Sequence, residues 1–110
     1  MNISIITFTE NGTKLAEKIR QAFVGTKMEE AKKLGLSLSD WTRQQFAEKN
    51  AIVVIGACGI AVRMIAPFVS DKLSDSPVVV ADEAGTFVIP LLSGHMAVSY
   101  THLRAHETRS

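Results

Sequence analysis

Two stretches of this 110-residue chain carry residues whose types and spacing suit chemistry. The first is VVIGACGIAVR, Val53 to Arg63, where a β-branched run meets two glycines and then a helical pattern. Glycine lets a backbone approach a ligand closely, and a helix N-terminus offers free N–H groups with partial positive charge. Gly56 and Gly59 therefore suit a phosphate or carboxylate ligand. The same residues also serve a plain, tight strand-to-helix turn. No third glycine follows, so the dinucleotide pattern G-x-G-x-x-G is absent. Cys58 lies where a helix N-terminus stabilises a thiolate. No histidine is near it in sequence, and the competing expectation is a small buried residue. Arg63, one turn further on, lies off the Ile60–Met64 stripe. It can clamp a carboxylate bidentately or remain a solvated surface arginine.

The second stretch is DEAGTFVIPLLSGH, Asp82 to His95. Asp82 and Glu83 are adjacent carboxylates at the end of an apolar run, suited either to acid/base work or to a solvated hairpin turn. Ser93, Gly94 and His95 follow the next apolar run, at the kind of strand end where α/β sheets bind ligands. Histidine titrates nearest neutral pH, so His95 is a proton-transfer candidate; the alternative is a polar residue at a helix start. His102 and His106 share a helical spacing near the C-terminus. No third ligand is in register and the H-E-x-x-H order is missing, so no metal site is expected.

Positioning these residues requires strands and helices in alternation. Ile3–Phe8, Ala51–Ile55 and Val78–Ala81 read as buried strands, and Thr86–Ile89 as a hairpin partner to the third. Leu15, Ile19 and Phe23 define one face of an amphipathic helix, with Gly25 as its stop. Met28 to Leu36 suggests a helical turn and loop. Ser37 or Ser39 caps a helix through Lys49 with Trp41 and Phe46 inward. A helix bearing Ile60, Met64 and Phe68 follows Gly59, ended or kinked by Pro67. The expected fold class is α/β, layered, with a mainly parallel sheet and one hairpin.

Composition is that of a globular domain: 46% hydrophobic, 21% charged and three prolines. The formal charge of +1 provides no broad basic field, so no nucleic-acid partner is expected. Apolar runs are far shorter than the roughly 20 residues of a membrane span, and no membrane partner is expected. The first residues lack a basic segment followed by a long apolar one, and Cys58 is the single cysteine. Both features point to a cytoplasmic protein without disulfides.

Two segments together, ISIITFTENGTKLAEKI and IGACGIAVRMIAPFVSDKLSDSPVVVADEAGTFVIPLLSGH, resemble the N-terminal region of the cobalt-precorrin-5A hydrolase family, the CbiG-type proteins of cobalamin biosynthesis. Cys58 stands where that family's pattern has threonine, which argues against an essential thiol. The resemblance implies a hydrolase that opens the δ-lactone of a cobalt-bearing corrinoid and releases acetaldehyde. It implies no protein cofactor, because cobalt arrives with the substrate. Other enzymes of the cobalamin pathway are its expected partners. On this reading His95 and Asp82 do the catalysis, while Gly56, Gly59, Arg63, Ser93 and Gly94 hold substrate carboxylates. Two other readings stand beside it: a flavodoxin-like phosphate- or nucleotide-binding module, and a non-catalytic docking domain.

After His95 the family continues with a glycine-rich stretch, whereas this chain reads MAVSYTHLRAHETRS. That ending resembles a translated sequencing adapter. Residues 1–97 are accordingly expected to form a partial N-terminal domain, truncated and inactive alone, and residues 98–110 a non-native tail.

Overall fold

Three strands of the chain, ISIIT, AIVVI and VVVA, are apolar or β-branched at almost every position, and all three are buried along their whole length. A strand reads this way when helices cover both faces of its sheet. The computed structural model describes residues 2–71 and 74–92. Within them the order is β1 (Ile3–Thr7), α1 (Glu10–Ala22), β2 (Thr26–Glu30), α2 (Leu38–Glu48), β3 (Ala51–Ile55), α3 (Cys58–Ile65), β4 (Val78–Ala81) and β5 (Val88–Leu92). Single 3-10 turns follow β2 at Ala31–Lys33 and α3 at Ala66–Phe68.

The five strands form one sheet in the order β2-β1-β3-β4-β5. The first four run parallel, and β5 returns antiparallel to β4. This is the expected α/β class with its parallel sheet and single hairpin. The hairpin strand occupies Val88–Leu92 rather than Thr86–Ile89, because its loop is longer than the sequence suggests. Asp82 N–H bonds Phe87 O at 3.2 Å, and Gly85 N–H bonds Asp82 O at 2.9 Å, so residues 82–87 close the loop. Gly85 takes φ +73° there, a conformation that costs glycine nothing. Pro90 lies within β5 opposite Val79, and an edge strand tolerates the missing donor.

Alternation sorts the side chains onto two faces. Ile3, Ile5, Ala51, Val53, Ile55, Val79 and Ala81 pack under Ala16 and Ile19 of α1. Ile6, Ile52, Val54, Val78 and Val80 pack against Trp41 of α2 and Ala61, Met64 and Ile65 of α3. Each fully buried Ile or Val contributes roughly 1.5–3 kcal/mol relative to exposure.

Local signals set the helix ends. Thr9 Oγ1 accepts from Gly12 N–H at 3.0 Å at the start of α1. Ser37 Oγ accepts from Asp40 N–H at 3.0 Å at the start of α2, so of the two serines expected as the cap it is Ser37, and Ser39 lies inside the helix. Lys49 ends α2 in the left-handed region at φ 57°. Pro67 falls in the 3-10 turn, so the regular helix stops at Ile65 and Phe68 is outside it. The segment Met28–Leu36 holds the expected helical turn at Ala31–Lys33 and a loop after it, but its first three residues belong to β2, an edge strand whose sequence TKMEE has one large apolar residue.

Candidate functional site at the sheet's carboxyl rim

The chain leaves β1 toward β2 on one side and β3 toward β4 on the other. Strand order therefore reverses between β1 and β3, and in open α/β sheets ligands bind outside the carboxyl ends of strands at such a point. Of the four connections that leave this rim, the one after β2 lies at the sheet's edge, and the other three are Phe8–Thr9 after β1, Gly56–Ala57 after β3 and Asp82–Phe87 after β4.

The rim is tied together by short polar contacts. Thr9 Oγ1 donates to Glu83 Oε2 while accepting from Gly12 N–H, linking the hairpin loop to the start of α1. A carboxylate at that helix N-terminus is electrostatically favourable. Thr13 Oγ1 lies 3.1 Å from Thr9 O and 2.9 Å from Thr7 Oγ1, so the first turn of α1 is anchored to β1. Asp82 Oδ1 accepts from Phe87 N–H at 2.7 Å. Asp82 is half-buried, and its turn-closing bond uses one carboxylate oxygen.

The two glycines of the first motif have different reasons. A Cβ on Gly56 would stand 3.1 Å from Phe8 Cδ2, so a larger residue there would have to push the ring across the switch point aside by a few tenths of an ångström. A Cβ on Gly59 would meet nothing within 4 Å. No contact among the described residues demands glycine at 59. The rim above it is open. Of the three α-helices described, α3 has no side chain bonded at its N-cap, Ala57. Its first N–H groups have no side-chain cap and carry the helix's partial positive charge. Cys58, the first residue of α3, is exposed, which corrects the expectation of a small buried residue. A position at the outer end of the helix has no layer above it to bury a side chain.

Arg63 is exposed and lines a different feature, a cleft of about 260 Å³ between α2 and α3 with Leu38, Ser39, Ile60, Met64 and Pro67. Gly56, Gly59 and Asp82 thus share the rim, and Arg63 belongs to the helical layer beside it. Ser93, Gly94 and His95 lie outside the described residues, as do His102 and His106. The strand leading to them is described. β5 runs opposite to β3, and Leu92 pairs with Val78 at the start of β4. A parallel β3 and β5, the arrangement that would bring both glycine motifs to one rim directly, is not what the sheet has. Sequence reasoning missed Thr9 and Gly12 as rim residues. Their signal was a T-x-x-G run directly after a buried strand.

Residues 40–104 match the family model described as Cobalamin synthesis G N-terminal. The chain belongs to the cobalamin synthesis G N-terminal family. Members named cobalt-precorrin-5A hydrolase are similar to it: the protein of Salmonella typhimurium is 40% identical over 101 residues, covering 86% of this chain and 29% of the relative. The protein of Priestia megaterium is 45% identical over 51 residues, covering 46% of this chain and 14% of the relative. The chain therefore spans less than a third of the length of these relatives. A solved cobalamin biosynthesis protein G homologue from Sulfolobus solfataricus has the same fold, with a TM-score of 0.67 at 22% identity, over 91% of this chain and 33% of that one. Among the described residues of this family member, no helix is long and apolar enough to cross a membrane.

Proposed function

We propose that this chain is the N-terminal part of a cytoplasmic cobalt-precorrin-5A hydrolase and that its carboxyl rim receives the corrinoid. The observation that carries the reading is the 40% identity to the Salmonella hydrolase over 101 residues. The rim adds chemical support. A corrinoid precursor presents several carboxylates, and the uncapped start of α3 offers it N–H donors without a side chain in the way. Opening a lactone needs an activated water, donors for the developing oxyanion and an acid/base group. Asp82 Oδ2 fills an acid/base role in this reading, and the α3 N–H groups bind an anionic oxygen; β5 carries the chain to the opposite end of the sheet at Leu92, so His95 is left out of this assignment. Arg63 holds a peripheral carboxylate of the same substrate from its cleft. Cobalt enters with the substrate.

A chimera tests the proposal. Residues 1–92 of this chain replace the matching region of the Salmonella relative, and acetaldehyde release from cobalt-precorrin-5A is measured. The expected result is turnover within about tenfold of the parent. A chimera with parent-like circular dichroism and no acetaldehyde release contradicts it.

A further inference from the structure

The strand the sequence hid, β2, is at the sheet's edge, and its outer side has no strand partner among the described residues. Its backbone polarity is fixed by its inner neighbour. Ile3 N–H bonds Gly25 O at 3.3 Å, in a parallel register that pairs Ile3 with Thr26. Alternation along the strand then points the N–H and C=O groups of Thr26, Met28 and Glu30 outward. Side chains alternate as well. Met28 packs toward the α1 face. Lys27 and Glu29 are exposed on the opposite face, beside a groove of about 350 Å³ that Trp41 and Gln44 also line.

We infer that β2 is a self-association edge whose partner is β2 of a second copy, antiparallel, with the two-fold axis at Met28. In that register Met28 and its symmetry mate form a hydrogen-bonded pair, flanked by Thr26 with Glu30 on each side. Lys27 of each copy stands opposite Glu29 of the other. These are non-hydrogen-bonded positions, where antiparallel side chains lie closest. Two unlike-charge pairs form on one face, and two methionines meet on the other. Neighbouring registers are disfavoured by the same charges. Moving the axis to Lys27 sets lysine against lysine, and moving it to Glu29 sets glutamate against glutamate. Charges on an edge strand ordinarily prevent pairing; here their alternation selects one register. An edge of five residues spans about 17 Å and buries less than a tight dimer requires, so the dimer is weak, with a dissociation constant on the order of 100 μM.

The test uses the 110-residue chain in sedimentation velocity from about 10 μM to 1 mM. The expected result is reversible dimerisation. Lys27→Glu and Glu29→Lys each weaken it by about tenfold or more, and the double variant K27E/E29K restores it to within about threefold of the parent. Both positions are exposed, and circular dichroism identifies any variant that fails to fold. A chain monomeric at every concentration overturns the proposal. So does association that the single reversals leave unchanged, or that the double variant fails to regain.

Discussion

Gln45→Ala strikes the polar joint that holds α2 to the sheet. Gln45 Oε1 accepts from Ser4 Oγ at 2.7 Å and from Asn50 Nδ2 at 2.8 Å. Ser4, Gln45 and Asn50 are all buried, at 6%, 7% and 8% exposure. They come from β1, α2 and the residue before β3, so one carboxamide ties three elements. Removing it strands the Ser4 hydroxyl, at a cost of about 1–3 kcal/mol for a buried unpaired donor. Asn50 loses less, because its Nδ2 also donates to Glu48 Oε1 at 3.2 Å. The groove beside Gln45 admits water, which trims the penalty. A net loss of about 1–3 kcal/mol follows, or roughly a 5–20 °C fall in melting temperature for a domain of this size. Thermal unfolding followed by circular dichroism reads it, and a double-mutant cycle with Ser4→Ala isolates the bond. If Ser4 is costly only because its donor is stranded, Ser4→Ala recovers part of the loss in the Gln45→Ala background. A Gln45→Ala variant within about 0.5 kcal/mol of the parent would refute the reasoning.

The two rim glycines should respond in opposite senses. Gly59→Ala adds a helix-favouring residue in open space and stabilises by about 0.5–1 kcal/mol, whereas Gly56→Ala presses on Phe8 and destabilises by about 1 kcal/mol. Denaturant melts distinguish them, and equal effects would show that packing does not separate the pair. Deleting residues 98–110, the tail proposed to be foreign to the domain, should leave the melting temperature within about 2 °C, and a larger fall would mean that the tail packs natively.

The parts of the fold that were legible in the sequence are those whose burial is extreme. ISIIT, AIVVI and VVVA carry apolar residues toward both faces because helices cover both, and no polar alternation blurs them. A serine cap for α2 was legible because a hydroxyl there satisfies an orphan amide, though the choice of Ser37 over Ser39 was not. β2 was not legible: an edge strand with one neighbour needs only Met28 for burial, so charge at the other positions is tolerated. The hairpin strand expected at Thr86–Ile89 starts two residues later and ends three later, because Asp82 closes a longer loop onto Phe87, a bond no local pattern announces. At the site, Gly56, Gly59 and Asp82 were found as glycine and carboxylate at strand ends. Their common rim, and the separation of Arg63 from it, depend on strand order and direction, which are set by long-range pairing.

In the proposed function the substrate occupies the open space beside Gly59. Gly59→Leu in the chimeric hydrolase tests this most directly, because a side chain there meets no protein atom within 4 Å of its Cβ. Acetaldehyde release is measured against cobalt-precorrin-5A concentration. The expected result is an intact fold with KM raised by about tenfold or more, since the leucine occupies the ligand's place and blocks the α3 N–H groups. An unchanged KM and kcat would show that the substrate binds elsewhere.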